Sequence, residues 1–458
     1  MKLFEYLASA ILLLPTIVDG LINPIIPGFN PDPSIIRVKE DYFLVTSTFE
    51  YFPGVPIYTS KDLVKWEQIG HALSRPSQLP LRGTAPSGGV FAPTIRYHDG
   101  IYYVTTTIFD VISPPDNVTR VPRSFYVTTD NIWDPDSFSE PIYVDQWGFD
   151  PDLFFDDDGK VYFTSTFSEL IDYGSFANHI TEIDIKTGNS LSASRVLHTT
   201  TVPEDVGYPL TEASHLYKIN GTYYMISADS GTEENHSANN YRAWRDDFDG
   251  GLADGAYYHQ RTPYKDFTDF ASAPGKLRIR GNVYDLSHRE TPAALFRKQV
   301  DVNTMWSTEL SAFEPSSARQ EAGAAVFLSI HYHNSIAVTR CEDSEARCIV
   351  VHTRTGPDAT LNTTYIEDEG VAAGKPVKLF IEARDVGYRL GYATGCGRPR
   401  WVASVENRWL QAFVSGWQNF VGTHFAIYAT GTKLPILNPA DFEYVQTELI
   451  STNLTRTD

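Results

Sequence analysis

The chain has 458 residues and a formal net charge of −20, with 37 Lys and Arg against 57 Asp and Glu. Nucleic acid is excluded as a partner, because phosphate backbones are held by clustered basic side chains that are missing here, and a neutral ligand fits better. Three cysteines are too few for a disulfide framework, so the fold must rest on its core, while 26 Tyr, 26 Phe and 8 Trp suit sugar rings as well as they suit any β-rich interior.

Met1-Lys2, an apolar run from Leu3 to Val18 and a small-residue exit at Asp19-Gly20 have the layout of a secretory signal peptide, so residues 1–20 are set apart from the fold. The run falls short of the ~20 residues that cross a bilayer, and no later segment is long and apolar enough. A secreted, extracellular protein with no membrane association is therefore expected. Asn-x-Ser/Thr sites at Asn117, Asn220, Asn235, Asn362 and Asn453 are compatible with export and glycosylation.

The next 225 or so residues are organised by a repeat. Asp32-Pro-Ser-Ile-Ile, Ala92-Pro-Thr-Ile-Arg, Asp150-Pro-Asp-Leu-Phe and Glu212-Ala-Ser-His-Leu each open a short strand, a turn and an aromatic or β-branched second strand, at spacings of 60, 58 and 62 residues. Asp99-Gly100, Asp158-Gly159 and Asn220-Gly221 are hairpin turns by composition. A period near 60 leaves room for one four-stranded antiparallel sheet per repeat, the pattern of propeller blades. After Arg245 the period is lost. Stretches such as Lys276-Leu-Arg-Ile-Arg-Gly and Val377-Lys-Leu-Phe-Ile-Glu-Ala-Arg then read as strands of a second all-β unit. The expected organisation is all-β: a propeller over 21–245 and a β-sandwich over 246–458. Within the latter, Cys341 and Cys348 are spaced to bridge a hairpin, leaving Cys396 free.

Equivalent positions of successive blades are related by rotation about the propeller axis, so Asp32, Asp150 and Glu212 should converge on one central pocket, with Ala92 as the apolar exception. Like charges crowded together push their pKa values apart into acid and base roles. Glycoside hydrolysis needs that division, one carboxyl to protonate the leaving oxygen and one carboxylate to activate water. Taken singly, Asp-Pro at a strand entry is also a common turn feature.

Gly28-Phe-Asn-Pro-Asp-Pro-Ser, Phe49-Glu-Tyr-Phe-Pro-Gly-Val, Arg75-Pro-Ser-Gln-Leu, Ser87-Gly-Gly-Val-Phe-Ala-Pro and Gly148-Phe-Asp-Pro-Asp-Leu-Phe together closely resemble glycoside hydrolase family 43, nearest its β-xylosidase and α-L-arabinofuranosidase branch. The resemblance implies a five-bladed propeller followed by a concanavalin-like sandwich, and an inverting hydrolase of xylose- or arabinose-containing oligosaccharide or polysaccharide that needs no cofactor. By it, Asp32 is the general base, Asp150 the acid that orients the pair and Glu212 the general acid. Phe49 and Phe91 match aromatics that wall the terminal sugar, Phe91 standing where the family often has Trp, with blade packing as the competing use of both. His236 matches a histidine near the axis that is linked in the family to a structural calcium or to water; no catalytic metal is implied, and Asp156-Asp-Asp-Gly159 lacks the later Glu of a calcium loop and reads as a turn. Phe420, in Trp417-Gln-Asn-Phe-Val-Gly422, matches a loop that reaches from the second domain to close the site, with ordinary packing as the alternative. The departure is length: four anchors are present, and about 60 residues for a fifth blade, including its arginine, are missing. A non-catalytic carbohydrate-binding relative therefore stands as the second expectation. Fructan-cleaving enzymes of similar architecture are disfavoured, since their Asn-Asp-Pro-Asn, Arg-Asp-Pro and Glu-Cys signatures are absent.

Overall fold

The computed structural model describes residues 24–112, 119–167, 176–199, 210–229, 244–252, 255–300, 302–411, 413–414 and 417–450. His236 and the sites at Asn117, Asn235 and Asn453 lie outside them. Among the described residues the helical segments are three 3-10 turns of three or four residues, and the strands pair antiparallel throughout.

The first three repeats are four-stranded meanders. The first runs Ser34–Val38, Asp41–Val45, Gly54–Ser60 and Glu67–Leu73. The second has Thr94–His98, Ile101–Ile112, Thr119–Thr129 and Ile142–Tyr143, with Gly89–Val90 also paired to its long second strand. Phe149–Phe155, Val161–Phe167, Ala177–Ile183 and Arg195–Thr199 make the third. The Asp99-Gly100 turn has positive φ at both positions, 48° and 87°, which is the tight hairpin geometry that Asp-Gly adopts at low cost. Phe43, Val45, Ile57, Ile95, Val104 and Phe125 form a core between the first two sheets, and Leu153, Phe163 and Tyr126 extend it to the third.

The fourth repeat departs from the expectation. Among the described residues it supplies only the hairpin Thr211–Ile219 and Thr222–Asp229. Its second strand keeps the aromatic pattern of the others, yet Tyr223, Tyr224 and Ile226 are 55%, 50% and 61% exposed, and among the described residues no third strand pairs with it.

The remaining chain forms two packed sheets. One has six strands, ordered Ala294–Lys298, His424–Thr430, Glu321–Phe327, His333–Arg340, Arg347–Thr355 and Thr360–Glu367; the other, of eight, is centred on Ala440–Leu449, Thr304–Ala312 and Val377–Arg384. Their facing side chains, among them Trp306, Leu379, Ile381, Phe425 and Ile427, fill one core. Trp244–Asp246, at the junction expected between the two units, pairs with Ala440–Leu449 of the second. Cys341 and Cys348 are joined across their hairpin with Cα atoms 5.2 Å apart, and Cys396 is free and exposed.

The two bodies share structure. Tyr51–Phe52 of the first repeat pairs with His259–Gln260 of the second body. Phe49 and Tyr51 are buried in the same cluster as the sandwich interior.

Candidate active site

Asp32 and Asp150 stand where the chain enters the first strand of its sheet, and both hold a left-handed backbone, φ 54° and 51°. That conformation is uncommon for residues other than glycine, though Asp tolerates it better than most. In the fourth repeat the same φ, 52°, falls on Ala213. The register agrees: a bulge lies between Phe149 and Asp152 in the third sheet and between Glu212 and His215 in the fourth. Glu212 therefore occupies the position of Phe149, one residue ahead of the phase assigned from the sequence. Its longer side chain starts one residue earlier and still reaches the other two acids.

The structure brings the three acids within mutual electrostatic reach. Asp150 is held well above the usual carboxylate range by burial first, then by the charges of Glu212 and Asp32, with the Ala213 N–H opposing. Glu212 is pushed up to about 7 by burial and by Asp32. Burial also raises Asp32, while the Ser47 hydroxyl, which donates to its Oδ2 at 2.5 Å, favours the ionised form. The entry to Asp32 is fixed from behind: Asn30 Oδ1 accepts from Tyr58 Oη at 2.8 Å and from Lys298 Nζ at 2.9 Å. Lys298 comes from the sandwich body, and with Tyr58 it lines a cavity of about 210 Å³ that none of the three acids lines.

Asp152 and Arg96 anchor this cluster, and sequence reasoning assigned them no role. Asp152 is fully buried two residues beyond Asp150; Arg96 donates to its two oxygens at 2.7 and 2.6 Å, and the Leu216 N–H donates to Oδ2 at 2.9 Å. One carboxylate thus ties the second, third and fourth sheets together beneath the acids. The available signal was a charged side chain at an inward position of two otherwise apolar strands. Asn178 adds a second tie, donating to Thr211 Oγ1 at 3.2 Å beside Glu212.

The predicted aromatics form a continuous wall. Phe49 lies 5.1 Å from Phe91, edge to face, and is stacked on Phe420 at 5.8 Å between ring centroids. Phe91 contacts Phe109 at 4.2 Å and Phe109 contacts Phe149, the neighbour of Asp150, at 5.8 Å. Phe420 thus reaches the first repeat from the second body, where it packs on the buried Phe49. His236 lies outside the described residues. Among those described, the group with metal-ligand spacing is Cys341, Cys348 and Glu367, whose two sulfurs are already bonded to each other. Asp156 sits in its hairpin turn and pairs with Lys218 at 2.7 Å.

Three mutually interacting acids, all raised by burial, at the converging strand ends of a propeller and near a cluster of aromatic rings, make a site able to divide acid and base roles as glycoside hydrolysis requires. Comparison with known proteins gives the family. The sequence pattern of glycosyl hydrolases family 43 matches residues 21–252, and that of the β-xylosidase C-terminal concanavalin A-like domain matches residues 245–448. The chain belongs to glycoside hydrolase family 43 and is a glycosidase. It is 29% identical over 529 residues to a non-reducing end α-L-arabinofuranosidase of Bacteroides ovatus, covering 92% of this chain and 93% of that one. It is 40% identical over 225 residues to a xylan 1,3-β-xylosidase of a Vibrio species, which is 47% of this chain and only 39% of the relative. The solved xylan β-1,4-xylosidase of Bacillus halodurans shares the fold, with a TM-score of 0.82 at 23% identity over 93% of this chain and all of that one.

Proposed function

We propose that the chain is a secreted, inverting glycosidase that removes terminal xylose or arabinose from plant cell-wall polysaccharide and oligosaccharide. The observation that carries it is the convergence of three acids from three sheets, each interacting electrostatically with another and one of them bonded to a serine hydroxyl. Asp32, receiving the Ser47 hydroxyl, is the ionised member and takes a proton from water. The water oxygen attacks the anomeric carbon from the face opposite the leaving group. Glu212, raised to about 7, keeps its proton near neutrality and delivers it to the departing glycosidic oxygen. Asp150, held well above the usual carboxylate range by burial and by the neighbouring charges of Glu212 and Asp32, stays protonated and orients the pair through its bond to the Ala213 N–H. Inversion calls for base and acid about 6.5–9.5 Å apart, leaving room for the water. The names of the relatives support pentosides as the substrate class. Leader-like residues 1–20 and the exposed sequons at Asn220 and Asn362 support export.

Hydrolysis of 4-nitrophenyl β-xyloside and 4-nitrophenyl α-L-arabinofuranoside tests the assignment, with NMR of the first-formed anomer reporting stereochemistry. Turnover of either with inversion is expected; retention of configuration would refute the mechanism. The missing length for a fifth repeat between the fourth and the second body favours a second reading, a relative that binds sugar without cleaving it. Glycan binding with no release of nitrophenol from either substrate would establish that instead.

A further inference from the structure

Ser87 is 2% exposed and holds a left-handed backbone at φ 58°, a conformation that side chains other than glycine rarely adopt. Of two hydrogen bonds made by this residue, one stays within the first body and the other crosses to the second. Its N–H donates to Glu50 Oε2 at 3.0 Å, and its hydroxyl accepts from the Phe420 N–H at 2.8 Å. Glu50 has no exposed surface, and its other carboxylate oxygen has no hydrogen-bond partner among the described residues, with the Arg261 charge nearby. The Glu50 carbonyl accepts from Arg261 N at 2.6 Å, and the Arg261 guanidinium, fully buried, donates to Thr84 O at 2.6 Å, three residues before Ser87. On the other side of Ser87, Val90 and Phe49 exchange backbone hydrogen bonds of 2.9 and 3.0 Å. Gly89 packs so closely that an added Cβ would meet Phe49 O at 2.2 Å, which fixes the distance between the two segments.

Burying a carboxylate is costly and packing alone does not require it. As an acceptor for a backbone N–H, however, it is stronger than a neutral group. In this left-handed conformation Ser87 presents its N–H to Glu50 and its hydroxyl to the sandwich loop at once, and the Glu50 carboxyl holds it there.

We infer that Glu50 and Ser87 are positioning residues: the Glu50 carboxylate fixes Ser87, and the Ser87 hydroxyl seats the Phe420 backbone so that its ring closes on Phe49 as part of the sugar-binding wall. The inference rests on the pentosidase assignment for the identity of the sugar, but not for the relay itself. Ser87→Ala keeps the Cβ and loses the hydroxyl. Loss of one such bond should raise KM by about tenfold with kcat changed by less than about threefold. Phe420→Ala should raise KM at least as much, and the double variant should be no worse than Phe420→Ala alone, because the serine acts only through the phenylalanine.

A second readout needs no activity. Hydrogen exchange of the full-length protein, followed in the peptide that carries Phe420, should be at least about tenfold faster in Ser87→Ala. It should be less accelerated in Glu50→Gln, which keeps an acceptor for the Ser87 N–H. Inactivity of the wild type on both chromogenic substrates would count against the assignment and leave the relay to be judged by exchange. Unchanged exchange at Phe420 in both variants, or additive KM effects in the double variant, would overturn the relay.

Discussion

The first and fourth repeats begin from nearly the same pattern and end in different surroundings. Asp41–Val45 and Thr222–Asp229 are both second strands of a hairpin, Asp-Tyr-Phe-Leu-Val in one and Thr-Tyr-Tyr-Met-Ile-Ser-Ala-Asp in the other. Phe43 is 1% exposed and Val45 is fully buried, between a third strand and the facing sheet; Tyr224 is 50% exposed and Ile226 61%. Aromatic alternation makes a strand, but its burial is decided by what the rest of the chain supplies. The site spans this contrast: Asp32 stands on the packed first sheet and Glu212 on the thin fourth. The thin sheet is tied to its neighbours largely by polar contacts, among them the Asp152 bridge, the Asn178–Thr211 bond, the Ser214–Thr164 pair and the Lys218–Asp156 pair, with Phe154 against Tyr223 as an aromatic contact.

The sharpest way to break the comparison is chemical. Asp32→Asn should lower kcat by about 10² to 10⁴-fold on every substrate, since water activation is needed whatever departs; steady-state kinetics on both nitrophenyl pentosides checks it. Next in size is the anchor. Asp152→Ala leaves the Arg96 guanidinium buried without its partner and should cost about 3–5 kcal/mol in chemical denaturation, with exchange of Thr211–Ile219 rising more than exchange of Ser34–Val38. Phe43→Ala, which empties a core site, should cost a similar ~3–5 kcal/mol, whereas Ile226→Ala on the exposed strand should stay within about 0.5 kcal/mol. A larger loss at Ile226 would mean that the strand is covered after all.

A smaller effect comes from pH. Glu212 and Glu50, each 4.5 in the unfolded chain, are raised to about 7 by burial, so the folded state holds protons that the unfolded chain has released. For these two groups stability is greatest below pH 4.5 and declines as pH rises to about 7. Double Gln substitution should flatten that slope in thermal unfolding measured across the window. Catalysis has the same sign at its alkaline limb: kcat/KM should fall above about pH 7 as Glu212 loses its proton.

Much of this was legible in the sequence because propeller sheets are local. Each hairpin is fixed by turn residues and alternation within about 60 residues, so the anchors at Asp32 and Asp150 and the strand at Val377–Arg384 could be read directly. Asp32 and Asp150 could be read as a pair because they fill an equivalent place in the first and third repeats. The phase of Glu212 could not, since a bulge shifts the register by one residue and composition does not mark it. Arg96 and Asp152 were invisible for another reason: their pairing joins residues 56 apart in two different sheets, and each alone looks like a strand residue. The link from Ser87 to Phe420 spans 333 residues and depends on one backbone angle, which no local pattern encodes.

The central claim, that Glu212 is the general acid in a triad completed by Asp32 and Asp150, is tested most directly by varying the leaving group. Wild type and Glu212→Gln should be compared on a 4-nitrophenyl pentoside, whose leaving group departs without a proton, and on an oligosaccharide of the same pentose, whose alkoxide does not. The variant should lose much more rate on the oligosaccharide than on the aryl glycoside, and the alkaline limb near pH 7 should disappear. Equal losses on the two substrates, with the limb unchanged, would contradict it.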